Sequence, residues 1–526
     1  MYRKFGAYDK SGCIEFKLFF PGASAYKRGG DPKIVALRVV GDFHQPLNGV
    51  QWDVSRALTL TPQAYNGGTL YSCKTDPLPD GFYQYKYLVT FVNGETRIVG
   101  DPCARYGGSD EFENAGVVVG GSTPQQNLVP PLTKRLPLQD LIIYELHIGD
   151  FTSEYRANRT PMDALIDRLD YIASLGFNAV ETLPWTAWPS GDFSWGYNPF
   201  MYFSVENYYV DNPAMPAEKL SKLKRFVKEC HARGLHVIMD GVFNHVEKRM
   251  FNRGFAYYWL YQELKDCPFI GDYGEGGFFE NLDFGNECTQ QFVLEVCKYW
   301  IEVVGIDGIR FDFTKGFYVP GDSSHGLPKL IADLRDYLGN TGQRNFSLII
   351  EHLAGYAAID VANQVDATSC WYDEFYWRSR EWLKYGYLDG RIMRLLHSAR
   401  DFGAGRVPTT YIENHDHAQV ASNAGGRARW YRTQPHAIAL YTVCGAPLVF
   451  SGQEFGEDYW MPEGYEETET LQRVVPRPKR WTTLGADSTA GFMRWLYGTL
   501  AAIRKAHPAL RSPNFYPSVW FDSWDR

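Results

Sequence analysis

The chain has 526 residues, of which 45% are hydrophobic and 22% charged, and its formal net charge is −8. The composition is globular, and the length suits a large α/β barrel with a second domain attached. The acidic balance argues against nucleic acid and anionic membranes as partners, because both are negatively charged and bind most favourably to positively charged protein surfaces. Aromatic residues reach 16%, which indicates either a large aromatic core or stacking surfaces for flat, apolar ligand faces.

The first residues of the chain and the pattern of its cysteines indicate the cellular compartment in which the protein is expected. The opening residues MYRKFGAYDKSGCIEF contain no apolar stretch long enough for a signal peptide, and no later run reaches transmembrane length. The nine cysteines are scattered without metal-ligand spacing, and Cys230, Cys297 and Cys444 lie in apolar-periodic segments. We therefore expect reduced core cysteines in a cytoplasmic protein that has no membrane partner.

Residues 1–120 predict an antiparallel β-sandwich. Short alternating runs such as KIVALRVVGDF and GFYQYKYLVTFVNGETRIVGDP are separated by Gly, Pro, Asp and Asn. The polar, proline-containing stretch over residues 121–138 is typical of a linker.

Residues 139–510 change to strand-like runs that alternate with longer helical segments, which predicts a parallel (β/α)8 barrel. The strand candidates, in chain order, are LIIYELHI, NAVETL, HVIMDGV, IDGIRFD, FSLIIEH, a segment near ATSCWYDEF, TTYIENH and APLVFSG. Helices are expected over MDALIDRLDYIASLG, PAEKLSKLKRFVKECHARG and TQQFVLEVCKYWIEVVG. A short inserted segment, residues 246–287, follows the third strand. Residues 511–526 would begin a C-terminal region whose β domain is truncated or absent.

Charged residues gather where the predicted barrel strands end. They are Asp240, Arg310, Asp312, Glu351, His415 and Asp416. The carboxyl ends of the strands carry the active site in barrels of this kind. A structural salt bridge would have no reason to choose that end each time, so this placement predicts a catalytic site.

Three of these residues are carboxylates from three different strands: Asp312, Glu351 and Asp416. Retaining glycoside hydrolysis uses one carboxylate as nucleophile and a second carboxyl as acid and then base. Arg310 lies two residues before Asp312, so both side chains leave a strand on the same face. The arginine would keep a nucleophilic Asp312 ionised by lowering its pKa. Taken alone, the two residues favour a buried structural ion pair, because such pairs are common.

Seven short motifs, in order, give the region from about residue 139 to 507 a resemblance to glycoside hydrolase family 13, the α-amylase family. They are GFNAVETLP (176–184), WGYNPFMYF (195–203), DGVFNH (240–245), GIRFD (308–312), IIEH around Glu351, ENHD (413–416) and GAPLVFSGQEFGE (445–457). Each motif is weak alone, and their shared order makes chance an unsatisfactory explanation.

The resemblance implies a role for each matching residue. Asp312 would be the nucleophile, Glu351 the general acid/base and Asp416 a third carboxylate that binds sugar hydroxyls. The remaining implied roles concern the same sugar: Arg310 orients Asp312, His245 and His415 donate hydrogen bonds, Tyr197 stacks beneath the ring, and Asp240 supports the subsite. Outside these motifs, either histidine would instead be interpreted as a satisfied core residue.

Further residues near the motifs are open to two interpretations. Trp185, Trp188 and Trp195 lie in the loop after the second strand and would either stack on glucose units or pack the loop. Lys315 follows the nucleophile and would either contact the leaving-side sugar or be solvated. The N-terminal segments VVGDF (39–43) and LPDGFYQYKYLV (78–89) resemble the module of branching, debranching and trehalose-forming enzymes, which would either bind sugar or pack against the barrel.

The resemblance favours an α-amylase-type hydrolase that cleaves α-1,4-glucosidic bonds in starch, glycogen or maltodextrins. FDFTKGF followed by EHLAG fits such hydrolases, whereas branching enzymes usually have acidic residues where this chain has His352 and His417. A 1,4-α-glucan branching enzyme, a debranching hydrolase and a trehalose-releasing hydrolase are the alternatives. A non-catalytic glucan-binding protein is disfavoured because all three acids are present.

The expected partner is an α-glucan polysaccharide or oligosaccharide, and nothing in the pattern indicates an oligomeric state. No nucleotide or redox cofactor is implied. Asn244 matches a calcium-ligand position of the family, so Ca²⁺ is possible, but the chemistry does not require it and no full set of oxygen ligands is evident.

Overall fold

The computed structural model describes residues 1–107, 114–121, 128–189, 193–249, 253–385, 395–396, 398–464, 472–512 and 514. The chain forms two packed β-sheets followed by a closed eight-stranded parallel barrel, so the predicted fold class is confirmed. Most of the predicted C-terminal region, residues 515–526, lies outside the described residues, as do residues 122–127 of the predicted linker.

The first sheets contain ten strands. These are β1 (Gly6–Asp9), β2 (Ile14–Phe20), β3 (Ile34–Gly41), β4 (Leu58–Thr59), β5 (Thr61–Tyr65), β6 (Gly68–Lys74), β7 (Gly81–Phe91), β8 (Thr96–Val99), β9 (Tyr106–Gly107) and β10 (Ala115–Val119). One sheet has the order β1-β2-β6-β5, and the other has the order β4-β3-β7-β10-β9 with β8 paired to β7. All their described pairings are antiparallel. Alternating apolar residues of β2 and β7 fill the space between the sheets, as Phe16 and Tyr85 do with rings 5.0 Å apart.

The barrel closes through eight parallel strands. They are β11 (Ile143–Leu146), β12 (Ala179–Thr182), β15 (His236–Gly241), β20 (Gly308–Phe311), β21 (Ser347–Ile350), β22 (Ser369–Tyr372), β23 (Thr409–Thr410) and β24 (Ala446–Phe450). The sixth strand, expected near ATSCWYDEF, is β22, which pairs Ser369 with Ile349. Nearly every strand residue is buried, as expected where helices cover the outer face of a parallel sheet.

The outer helices follow the predicted periodicity with two departures. The segment predicted as one helix over residues 162–176 is divided into Pro161–Leu165, a 3-10 turn at Ile166–Arg168 and Leu169–Ser174. The helix Glu287–Tyr299 continues as a π-helix over Trp300–Val304 and ends at Gly305, whose φ of +79° suits glycine. The other α-helices are Ile148–Thr152, Asn207–Val210, Lys219–Ala232, Ala256–Trp259, Gly326–Asn340, Tyr356–Gln364, Glu374–Tyr385, Val420–Asn423, Gln434–Thr442, Thr483–Ala486 and Ser488–Ala506.

Small strand pairs build the loops at the carboxyl end of the barrel. They are β13 (Thr186–Ala187) with β14 (Met201–Val205), β16 (His245–Val246) with β19 (Glu280–Asn281), and β17 (Lys248–Arg249) with β18 (Arg253–Gly254). The last two pairs lie within the segment after the third barrel strand. They join that segment to the strand end that carries Asp240.

The N-terminal region packs directly against the segment after the third barrel strand and against the helix Glu287–Tyr299. Tyr2 is fully buried and contacts the rings of Tyr257, Phe269 and Phe292 edge-on, with centroids 5.3 to 6.3 Å apart. The hydroxyl of Tyr257 also donates a hydrogen bond to the carbonyl of Phe19. This apolar contact supports the interpretation of the sandwich as a packing module.

The nine cysteines are free thiols, and all except Cys73 are buried. Among the residues that the model describes, no helix combines the length and apolarity needed to span a membrane.

Candidate active site

Side chains from three neighbouring strands meet at the carboxyl end of the barrel. Asp240 and Arg310 are cross-strand partners at the ends of β15 and β20. Asp312 and Glu351 are the first residues after β20 and β21. The backbone N–H of each continues the hydrogen bonding to the neighbouring strand. Because parallel strands end at the same edge, residues far apart in sequence converge there.

Arg310 is the centre of this cluster. Its guanidinium is fully buried, with Nη1 2.7 Å from Asp240 Oδ1 and 2.9 Å from Asp312 Oδ1. Its Nη2 lies 2.9 Å from Glu351 Oε2. The guanidinium also lies over the ring of Trp371, 4.1 Å from the centroid. The arginine therefore contacts Asp312 and also connects it to two carboxyls whose proximity the sequence spacing did not reveal.

Asp312 and Glu351 form a strongly coupled pair of buried carboxyls. Burial raises the pKa of Asp312 well above its usual value, and the neighbouring Glu351 raises it further, while Arg310 opposes both effects. Burial also raises the pKa of Glu351, again against Arg310. The expectation that Arg310 lowers the pKa of Asp312 was thus incomplete, because burial and Glu351 act in the other direction. Because the two carboxyls lie on one guanidinium and repel each other when both are charged, ionisation of one disfavours ionisation of the other.

The turn after the nucleophile position is held against Glu351. The backbone N–H of Phe313 donates to Glu351 Oε2 at 2.7 Å, and the N–H of Thr314 donates to the Glu351 carbonyl at 2.9 Å. Phe313 has a φ of +37°, which is unfavourable for a bulky residue and is maintained here by these bonds. One oxygen of Glu351 is therefore fixed, and the carboxyl cannot rotate freely.

His415 and Asp416 form a second charged group beside Arg310. The Nδ1 of His415 lies 2.7 Å from Glu145 Oε1, and its Nε2 lies 3.4 Å from Asp416 Oδ2. Arg473 donates to Asp416 Oδ1 at 2.9 Å. Although burial disfavours the charge, Asp416 and Glu145 raise the pKa of His415 to about 9. Conversely, burial is outweighed by His415 and Arg473, so the pKa of Asp416 falls to about 2. The pair is ionic throughout the physiological range.

We expect the stabilising contribution of His415 to depend on pH. Its pKa in the folded state is about 9, above the usual 6.5, so the contribution is fully present below pH 6.5 and is lost as pH rises through about 9. The shift corresponds to at most about 3 kcal/mol. The difference in thermal midpoint between the wild type and His415→Gln, measured by calorimetry, should therefore be largest at pH 6 and narrow towards pH 9. The control His436→Gln removes a histidine whose pKa is lowered to about 4 by burial. The difference in thermal midpoint between this variant and the wild type should therefore not narrow between pH 6 and pH 9. A constant difference for His415→Gln would contradict the assignment.

The residues predicted to hold a sugar surround this group. The Tyr197 ring is stacked on His415 with centroids 5.1 Å apart, and its hydroxyl donates to Asp240 Oδ2 at 2.6 Å. Trp195 meets His415 edge-on at 5.5 Å. The Nε2 of His245 donates to the Tyr197 carbonyl at 2.7 Å, and burial lowers the pKa of His245 to about 4, so this imidazole is neutral. The sugar contacts of these side chains remain predictions.

The other aromatic candidates differ in position. Trp185 and Trp188 are buried, packing against Trp300 and Tyr209 respectively. Their positions fit loop packing and leave little surface for glucose. Lys315 is half-buried on the turn after Asp312, and its positive charge, after burial itself, helps to lower the pKa of His352 to about 4.

Three buried ionisable residues near the site lie outside the residues predicted from the sequence: Glu145, Glu181 and Arg473. A glutamate inside an otherwise apolar barrel strand, as in IYEL and AVET, was an available signal for the first two. Burial, together with Glu145, raises the pKa of Glu181 well above its usual value. Arg473 belongs to no motif, and only the folded loop brings it to Asp416.

Asn244, the possible calcium ligand, is buried at the carboxyl end of the barrel. Its side-chain oxygen and nitrogen are both buried without a described hydrogen-bond partner. However, no group of three or more His, Cys, Asp or Glu residues that could hold a metal ion occurs within the described part of the chain. Calcium prefers six to eight oxygen ligands; a calcium ion at Asn244 stays a prediction, and no chemical step is assigned to a metal.

The sequence is similar to an alpha amylase family model, to a trehalohydrolase and to a pullulanase. Residues 150–266 match the family model described as the alpha amylase catalytic domain. The malto-oligosyltrehalose trehalohydrolase of Saccharolobus solfataricus is 26% identical over 413 residues, which is 71% of this chain and 66% of the relative. The pullulanase of Bacillus subtilis is 30% identical over 281 residues, which is 49% of this chain and 36% of that relative. The chain thus spans two thirds or less of these curated relatives.

Solved structures resemble the whole described fold. The pullulanase of Paenibacillus barengoltzii, crystallised with maltohexaose and alpha-cyclodextrin, has a TM-score of 0.72 and is 19% identical. The match covers 97% of this chain and 83% of that one. At this level of identity the likeness concerns the fold.

Proposed function

We propose that this chain, whose residues 150–266 match the alpha amylase catalytic domain, is an α-amylase-family glycoside hydrolase that cleaves α-1,4-glucosidic bonds in starch, glycogen or maltodextrins and retains the anomeric configuration. The observation that carries the proposal is the coupled pair of buried carboxyls, Asp312 and Glu351, on one guanidinium. A retaining mechanism needs one ionised and one protonated carboxyl close together, and the repulsion between two buried carboxyls favours such a singly ionised pair.

In the first step, Glu351 donates its proton to the glycosidic oxygen while Asp312 attacks the anomeric carbon. The bond to the leaving sugar breaks, and a β-linked glycosyl-enzyme forms. The Phe313 N–H, which donates to Glu351 Oε2, stabilises the carboxylate that proton transfer leaves behind. Arg310 stays paired with Asp240 throughout, so the cluster keeps a compensating positive charge.

In the second step, Glu351 accepts a proton from water, which attacks the anomeric carbon and releases Asp312. The sugar leaves with the α configuration that it had in the substrate. Asp416, kept ionised by His415 and Arg473, is placed to accept hydrogen bonds from ring hydroxyls. A fixed anion of this kind also favours the positive charge that develops on the sugar ring.

Trehalose release is the second candidate, and one observation favours it. The alignment with malto-oligosyltrehalose trehalohydrolase covers 71% of this chain, more than the 49% covered with the Bacillus subtilis pullulanase. The same two carboxyls would carry out this reaction, and only the sugar on the leaving side would differ. Debranching hydrolysis, which the pullulanase likeness supports, is the third.

Incubation with amylose, malto-oligosyltrehalose and pullulan in parallel tests the proposal. Reducing ends are assayed, and the anomeric region is followed by proton NMR. We expect new reducing ends from amylose, first as the α anomer, with no new α-1,6 signal. Preferred release of trehalose would replace the main proposal by the second candidate, and preferred cleavage of pullulan would replace it by debranching. A new α-1,6 signal with constant reducing ends would indicate a branching enzyme, and the β anomer as first product would exclude retention.

We also propose that the protein works in a reducing, cytoplasmic compartment. The support is that all nine cysteines are free and eight of them are buried, where oxidation would disrupt packing.

A further inference from the structure

Two consecutive phenylalanines stand exposed beside the catalytic carboxyls. Phe278 is 42% exposed and Phe279 is 58% exposed, although both are large apolar residues. Their rings lie 5.8 and 5.2 Å from the buried His245 ring. Phe278 also meets Phe313 edge-on at 5.3 Å. The pair therefore forms the rim of the candidate site, and exposing both rings to water is unfavourable unless a ligand covers them.

The backbone at this rim is strained. Phe279 has a φ of +44°, a region that bulky residues rarely adopt and that costs about 1–3 kcal/mol. Such strain persists only when surrounding contacts impose it, and it concentrates at ligand sites. A residue that only filled the loop could adopt an ordinary conformation, so the strain indicates that the position of this ring matters.

Contacts on both sides of the two rings hold the segment in place. After Phe279, the strand β19 pairs with β16, which places Glu280 beside Val246, and Glu280 forms an ion pair with Lys248. Before Phe278, the N–H of Glu275 donates to the Lys315 carbonyl at 2.9 Å. Gly274 also packs so closely on Gly316 that a Cβ would lie 2.4 Å from its carbonyl oxygen. The rings are thus fixed to the turn that follows the nucleophile.

In the proposed mechanism the rim lies on the side of the site from which the leaving group departs, because it adjoins the acid Glu351 through Phe313. Phe313 connects the two groups, because its N–H donates to Glu351 Oε2 and its ring contacts Phe278. Glu351 is the acid that protonates the departing oxygen in the proposed mechanism. Asp416 is held separately, by His415 and Arg473.

We propose that Phe278 and Phe279 are a stacking platform for the first glucose units of the leaving part of the substrate. This inference rests on the proposed function and specifies its leaving-side ligand as a glucosyl ring, whose apolar face suits an aromatic surface. The platform positions the departing oxygen next to Glu351. The platform should therefore raise kcat/KM for substrates with a sugar leaving group and leave kcat/KM unchanged for substrates with a small leaving group.

The test compares two substrates that share the Asp312 step. Maltoheptaose has a sugar leaving group, whereas α-maltosyl fluoride releases only fluoride and places nothing on the platform. We expect Phe278→Ala and Phe279→Ala each to lower kcat/KM for maltoheptaose about tenfold, while kcat/KM for the fluoride stays within about twofold of wild type. Phe279→Trp, which keeps a flat ring, should retain most activity on maltoheptaose.

Two further variants separate binding from folding. Phe279→Gly relieves the positive φ, so its thermal midpoint should equal or exceed that of the wild type while its loss on maltoheptaose matches that of Phe279→Ala. Phe492→Ala removes a phenylalanine that is also 58% exposed, from the helix Ser488–Ala506. It should change kcat/KM for neither substrate.

The outcomes distinguish this inference from the function on which it rests. Equal losses on both substrates would show that the rings only support the catalytic turn, and unchanged kinetics on both would show that no sugar stacks there. Either result overturns the platform while hydrolysis stands. A wild-type enzyme that releases no fluoride and no reducing ends would overturn the proposed function, and the platform with it.

Discussion

Replacing Asp312 or Glu351 by alanine is expected to lower hydrolysis of maltodextrin by about 10⁴-fold or more while the fold persists, because each removes a group that reacts directly with the substrate. Asp312→Ala leaves no nucleophile. Glu351→Ala leaves the glycosidic oxygen without a proton donor. The measurement is the rate of reducing-end release, with circular dichroism as the test of folding. Asp366→Asn, which alters an exposed aspartate paired with Arg335, is the matched control and should have wild-type activity.

Azide separates the two roles by the stereochemistry of the product. With α-maltosyl fluoride, azide in the space of the missing Asp312 side chain attacks from the β face, so Asp312→Ala should give β-maltosyl azide. In Glu351→Ala the covalent intermediate still forms, and azide then attacks from the α face to give α-maltosyl azide. Opposite anomers would establish the assignment. The same anomer from both variants, or full activity in either, would refute it.

Removing the charge of Arg310 is expected to destabilise the folded protein by about 3–5 kcal/mol near neutral pH, since a buried cation among three carboxyls would be lost. Arg310→Met keeps most of the side-chain volume and leaves Asp312 and Glu351 uncompensated. Their pKa values are already raised in the native state, and the variant should raise them further. A raised carboxyl pKa favours the folded state at low pH and disfavours it as pH rises. The destabilisation, measured by thermal or urea unfolding, should therefore shrink as pH is lowered.

Arg135→Met supplies a control for the loss of a buried ion pair. Arg135 lies 2.7 Å from the fully buried Asp307, outside the candidate site. This variant should lose stability but keep the activity of the folded fraction, whereas Arg310→Met should also lose about 10²-fold or more in kcat. If Arg310→Met kept its activity and its stability at neutral pH, the central role of the guanidinium would be wrong.

Much of the fold was predictable because it depends on local patterns. The eight barrel strands, including Ser369–Tyr372, appear where apolar runs alternate with helical segments. The break in the helix predicted over residues 162–176 was not predictable in this way, because its apolar spacing continues through the 3-10 turn at Ile166–Arg168. Periodicity identifies the face that is buried, but packing decides whether the helix stays straight.

The sequence by itself determined the barrel, the sandwich and the chemically important residues, because hydrophobic periodicity and short motifs are local properties of the chain. Only the tertiary structure decided how these residues combine. It joined His415 to Glu145, which is 270 positions away, placed Arg473 on Asp416, turned Trp185 and Trp188 inward, and left Phe278 and Phe279 at the rim. The physical reason is that burial, charge pairing and backbone strain depend on which distant segments meet, and barrel closure brings those segments together.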